Sequence, residues 1–174
     1  SFRKMQQYYK IEEMKDLTRN HYNRYPFQEP DEEQLLTYIN KNMKIQNVLA
    51  LNDIKEPIID VGCGCGKYTR LLELAGFKDI VGVDISDIEL GIAINYLQHT
   101  TLVNADATNL RRFKDNFFNT VLCLGVAHHT PNPKQVLNEC YRICNNGGKV
   151  LFAVYRKHSF YYYDYILLKK TVKL

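Results

Sequence analysis

The chain of 174 residues contains no tryptophan, only three methionines and only five prolines, and its longest apolar runs are strand-sized. Runs that short exclude a transmembrane helix, and the N-terminus lacks the charged-then-apolar layout of a signal peptide. Strong charge of either sign is missing too. The net charge of +4 suits an acidic partner but does not by itself indicate nucleic acid. Cys63, Cys65, Cys123, Cys140 and Cys144 form neither paired C-x-x-C knuckles nor a C-x-x-C with a following H-x-x-x-H, so a zinc finger is excluded. Reduced, buried thiols in a cytoplasmic protein are the expectation. No internal repeat or low-complexity tract is present.

What is there reads as one domain with a full-sized core, at 45% hydrophobic and 24% charged residues. From Glu56 onward, strand and helix alternate. "PIIDV" is a short apolar strand, and "KYTRLLELA" is a helix stopped by Gly76. "DIVGVD" is a second strand. "SDIELGIAINYL" opens a helix with a capping box, Ser86 and Glu89. "TTLVNAD" and "NTVLCLGV" are further strands, "PKQVLNECYRIC" a helix by spacing, and "NNGG" turns the chain into "KVLFAVY". Alternation at this interval predicts an α/β fold with a doubly wound parallel sheet, five strands being evident. Residues 1–55 are polar and helix-prone and broken at "RYPFQEPDEE", so an N-terminal helical extension precedes a domain over 56–174.

The stretch "IIDVGCGCGKYT" places Gly62, Gly64 and Gly66 directly behind the first strand, where open parallel sheets bind ligands. Glycines there let the backbone bend and approach a ligand without a Cβ in the way. The dinucleotide fingerprint G-x-G-x-x-G is not met, because its third glycine position is Lys67. The pattern is D-x-G-x-G-x-G, with Asp60 ending the strand. A carboxylate there repels a pyrophosphate and suits a cationic ligand bearing an amino acid, which disfavours NAD.

This stretch resembles motif I of the class I S-adenosylmethionine-dependent methyltransferases, and the resemblance continues to about Tyr155. "VGVDIS", "NADATNL", "LCLGVAHHTPNP" and "VLNECYRICNNGGKVLFAVY" are similar to the later motifs of the small-molecule, type 11-like branch, in order. The resemblance implies a Rossmann-like sheet, S-adenosylmethionine as cofactor, and a binding site at Asp60, Gly62, Gly64, Gly66, Asp84, Ile85, Asp106, Ala107, Leu124 and Gly125. Asp84 would accept from both ribose hydroxyls and Asp106 from the adenine amino group. Ile85 and Leu124 would sandwich the base, and the backbone of Leu124 and Gly125 would face the methyl donor. Asp84 also suits helix N-terminal polarity, and Asp106 a short helix cap.

His128 and His129 follow the fourth strand at the substrate end. One is a candidate general base, the alternative being a turn element before "TPNP". Tyr22, Tyr25 and Phe27 lie where the family commonly carries a lid, with packing of the extension as the alternative. An "NPPY"-type signature of nucleic-acid amine methylation is absent after the fourth strand, which favours a small-molecule or lipid-like acceptor. One departure is Phe118-Asn119, where the family commonly has Phe-Asp. It leaves open a cofactor-binding protein that acts through a partner without catalysis.

The family's sheet has seven strands, and the motifs here account for five. The 19 residues after Tyr155 include "SFYYYDYILLKK", which reads as one helix, core or partner-facing, with a substrate wall or membrane-surface helix as alternatives. The fifth strand would then be a bare edge. The expectation is therefore a C-terminally truncated domain, or a homodimer pairing along Val150 to Tyr155.

Overall fold

The computed structural model describes residues 2–26, 33, 54–155 and 163–169. A long helix α1 (Phe2–Arg24) precedes the alternating region. There follow β1 (Ile58–Val61), α2 (Lys67–Leu74), β2 (Ile80–Asp84), α3 (Asp87–Ala93), β3 (Thr100–Asn104) and β4 (Phe118–Leu124). After a 3₁₀ turn (Ala127–His129) come α4 (Pro133–Ile143), β5 (Cys144–Tyr155) and β6 (Tyr163–Lys169). The sheet order is β3-β2-β1-β4-β5-β6, and the first five strands are parallel. Strand order reverses between β1 and β4, so the carboxyl end of β1 is the crevice the fold offers a ligand.

Side-chain alternation along the strands builds two cores, one on each face. Ile59, Val61, Val121, Cys123, Val150 and Phe152 point to the face covered by α4 through Val136, Cys140 and Ile143. Ile58, Ile80, Leu122 and Leu151 point to the other, against Leu71 and Leu72 of α2. Burial on both faces is why these strands read as continuous apolar runs rather than alternating ones. All five cysteines are free and buried, and among the described residues no His/Cys/Asp/Glu cluster is arranged for a metal. No described helix is long and apolar enough to cross a membrane.

Local chemistry sets the helix ends, at Ser86 and Gly76 as expected and at Asn132 in addition. Ser86 caps α3 by accepting the Glu89 amide, and Asn132 caps α4 by accepting the Gln135 amide, with Pro133 in the first turn. Gly76 takes a left-handed φ of 95° just past α2.

The C-terminal run departs from expectation. Tyr163–Lys169 is a strand, not a helix, and it pairs antiparallel with β5 from Lys149↔Lys169 to Tyr155↔Tyr163. Its tyrosines and aliphatic side chains suit a pleated surface, and the open backbone groups of β5 supply the ladder. The edge proposed for a homodimer, Val150 to Tyr155, is thus already occupied, and the sheet has six strands rather than five. Residues 159–162 of the tyrosine run, and Phe27, lie outside the described residues.

Candidate functional site

The parallel register brings the carboxyl ends of β1, β2, β3 and β4 to one edge of the sheet. The loop after β1 is pinned there by backbone: the amides of Gly62 and Cys63 both donate to the Val83 carbonyl, at 2.6 and 2.9 Å. Gly62, Gly64 and Gly66 have φ of 76°, 53° and 85°. The left-handed region disfavours any residue with a Cβ.

The three glycines do different work. A Cβ on Gly62 would overlap the Val126 side chain, and one on Gly66 would come within 2.9 Å of Leu97 Cδ1 and 3.1 Å of the Tyr96 hydroxyl. Those two let the loop pack against protein. On Gly64 the added atom would meet only Glu89 Oε2, at 3.7 Å. Of the three, only Gly64 leaves its Cβ position clear of close contacts among the described residues. Val126 and Glu89 carry no local motif signal in these roles, because each acts through a contact distant in sequence.

Asp84 ends β2 beside this opening. Its Oδ2 accepts the Gly64 amide at 2.8 Å and its Oδ1 the Ser86 amide at 2.9 Å. Burial holds its pKa above the usual carboxylate value, although the amides of Ser86, Gly64 and Ile85 pull the other way. Asp60 lies beneath the loop rather than in the opening. It is 2% exposed and accepts the Thr69 hydroxyl at 2.8 Å, and burial raises its pKa to about 6. With Glu89, itself buried, these carboxylates surround the loop with acidic groups, a poor setting for a pyrophosphate.

Asp106 follows β3. Its Oδ1 accepts the amide and hydroxyl of Thr108, at 2.7 and 2.8 Å, and its Oδ2 pairs with Lys15 Nζ of α1 at 2.9 Å. Burial alone would raise its pKa, but Thr108 and Lys15 outweigh it and the net shift is downward. Ala107 is buried in the core. Ile85, Leu124 and Gly125 are half-buried at the same edge, and the Gly125 amide donates to Ala153.

His128 and His129 occupy the 3₁₀ turn after β4, with rings 4.0 Å apart. Burial, then the neighbouring His129, lowers the His128 pKa to about 4; burial, then His21 of α1, lowers that of His129. Tyr22 meets the His129 ring edge-on at 6.0 Å. Tyr25 lies farther along and is exposed.

Asn119 sits at the opposite end of the sheet. Its side chain donates to the Glu56 carbonyl at 2.6 Å and accepts from Asn145 at 3.0 Å, tying the start of β4 to its neighbours. The Phe-Asn departure therefore does not reach the glycine loop.

The methyltransferase-domain family matches residues 59–152, from the middle of β1 to the middle of β5. The chain belongs to that family. Class I members use S-adenosylmethionine as methyl donor. The chain is 34% identical over 99 residues to a ubiquinone biosynthesis O-methyltransferase of Methylococcus capsulatus, covering 55% of this chain and 41% of that one. A protein of the same name from Pectobacterium carotovorum is 27% identical over 112 residues, covering 59% and 44%. The chain thus spans less than half the length of these relatives. The fold matches an S-adenosylmethionine-dependent methyltransferase structure from Mesorhizobium loti with a TM-score of 0.58 at 19% identity, over 67% of this chain and 55% of that one.

Proposed function

We propose that this methyltransferase-family chain binds S-adenosylmethionine over the Gly64 opening and transfers its methyl group to an oxygen of a small organic acceptor. The observation that carries this reading is the one glycine of the β1 loop whose Cβ position is clear of close contacts, with the Asp84 carboxylate bonded to its amide. When bound, the cofactor supplies a methyl group activated on a sulfonium. The chain's own part is to hold and orient.

Gly64 lets the backbone come close to the amino-acid tail, and the acidic surroundings of Glu89 and Asp60 favour a cation there. Asp84 has lone pairs beyond those given to Gly64 and Ser86, and these accept from the ribose. Asp106, Ile85 and Leu124 frame the base, and the backbone of Leu124 and Gly125 lines the methyl-bearing side. His129 is the more exposed of the two histidines, and its lowered pKa keeps it neutral near pH 7. A neutral imidazole at the end of β4 is placed to take the acceptor's hydroxyl proton. Positioning and exclusion of water supply the rest of the rate.

A small-molecule acceptor is supported by the O-methyltransferase names of the relatives and by the missing nucleic-acid signature. A screen of tritiated methyl transfer from S-adenosylmethionine to cell-extract metabolites tests the reading. Label in a small organic acceptor, as an acid- and base-stable ether, is the expected outcome. Label only in nucleic acid or protein, or none at all, would contradict it.

A further inference from the structure

Helix α1 lays one stripe of side chains across the edge that carries the site. Lys15, Thr18 and Tyr22 share a helical face at i, i+3, i+7 spacing, and each reaches a different segment or group there. Lys15 pairs with Asp106 after β3 at 2.9 Å, the Thr18 hydroxyl is shared between the Met14 carbonyl of its own helix at 2.9 Å and the His129 carbonyl at 3.3 Å, and Tyr22 meets the His129 ring. Asn23, beside them, accepts the hydroxyl of Ser86, the cap of α3, at 2.6 Å. Met14 and Leu17 of the same helix stay exposed, at 42% and 62%. The described part of α1 is therefore held at this edge by polar contacts, with little apolar burial, the kind of docking that opens at low cost.

We propose that Lys15 sets cofactor affinity by competing with the adenine amino group for Asp106. This rests on the cofactor reading above. Asp106 has two oxygens: Thr108 takes Oδ1 through two donors, and Lys15 takes Oδ2. An adenine amino group is also a donor, and the only Asp106 oxygen with acceptor capacity left for it is Oδ2, where the ammonium already takes one of two lone-pair sites and crowds the approach. Both charged side chains of the pair are only 20% exposed, so the contact is shielded enough to persist but open enough to exchange. Cofactor entry then loosens the Lys15–Asp106 pair, the anchor of α1 beside β3, while Tyr22 and Asn23 still hold the helix at the turn after β4 and at α3. Lys15 also donates to Glu12 on its own helix at 3.2 Å, which gives the released ammonium a second carboxylate to stay with.

The test is calorimetric binding of S-adenosylmethionine and S-adenosylhomocysteine to the full chain, wild type, Lys15→Met and Lys15→Arg. Lys15→Met should bind about two- to fivefold more tightly than wild type, the range open to a partly exposed ion pair. Lys15→Arg, which keeps the pair, should bind like wild type. The gain of Lys15→Met should shrink as ionic strength rises from about 0.05 M to about 0.5 M, because salt weakens the pair being removed. A purely structural lysine would show neither the gain nor its salt dependence. If wild type binds and Lys15→Met binds equally or more weakly, the competition is wrong and the cofactor site stands. If Lys15→Met alone binds, the competition is stronger than stated and still correct. If neither binds, the cofactor reading fails and the competition with it.

Discussion

The carboxylate of Asp84 accepts the amide of Gly64 at 2.8 Å, so the group proposed to hold the ribose also fixes the loop proposed to take the amino-acid tail. One substitution therefore disturbs both halves of the site. Asp84→Ala should weaken S-adenosylmethionine binding by about 3 kcal/mol, the loss of charge-assisted bonds to ligand and loop together. Asp106→Ala should cost less, about 1 kcal/mol, because one of its oxygens is already committed to Thr108 and the other is contested by Lys15. Titration calorimetry on both variants checks the order. Equal losses, or none for Asp84→Ala, would remove the ribose assignment.

Gly64 and Gly62 should separate cleanly on substitution. Gly64→Ala meets no clash among the described residues, so it should keep the fold, at a cost of about 1–2 kcal/mol for a left-handed alanine, and lose cofactor binding. Gly62→Ala runs into Val126 and should lose much more stability. Thermal melts with and without S-adenosylmethionine read both effects. A Gly64→Ala protein that still gains stability from the cofactor as wild type does would show that this glycine serves only the turn.

The raised pKa of Asp60 has a defined sign. A carboxyl with a folded-state pKa of about 6, above its unfolded value, favours the fold fully below about pH 4 and progressively less as pH rises through 6. Asp60→Asn keeps an acceptor for Thr69 and removes the buried charge. It should be more stable than wild type at pH 8, by up to about 3 kcal/mol, with the difference vanishing near pH 4. Denaturant melts across that range measure it. Weaker cofactor binding by the same variant would identify the charge as functional; a pH-independent difference in stability would contradict the shift.

Glu73 connects α2 to the start of β3, the strand that leads to Asp106. Its nearly inaccessible carboxylate accepts the amides of Gln98 and His99 and the hydroxyl of Thr100, at 2.8–3.1 Å, and pairs with Arg70. Burial raises its pKa, but those donors outweigh burial and the net shift is downward, so its contribution is lost as pH falls through the carboxylate range. Glu73→Ala should destabilise by about 2–4 kcal/mol by leaving three donors without their acceptor. Chemical denaturation checks this, and a loss under about 0.5 kcal/mol would show that water replaces the carboxylate.

The sequence made the sheet legible from β1 to β5 because each strand has a short apolar, β-branched-rich stretch and each helix carries its own cap or periodicity. Asp84 and Gly64 were legible for the same reason, since a strand end followed by glycines is a local pattern. The division of labour among Gly62, Gly64 and Gly66 was not, because it depends on Val126, Tyr96 and Leu97 arriving from other elements. Lys15 left no trace either: an ion pair between a half-buried lysine on α1 and an aspartate distant in sequence has no periodic signature. The β6 segment misled because tyrosines and aliphatics in a row suit either a helix face or a strand, and the choice was made by the open edge of β5.

The most direct measurement is a titration of the purified chain with S-adenosylmethionine, S-adenosylhomocysteine and NAD. The expected result is one saturable site for each of the first two and no heat of binding for NAD, because the loop is built around carboxylates and one open glycine. Binding of NAD, or of none of the three by either wild type or Lys15→Met, would contradict the assignment of the Gly64 opening to a methyl donor.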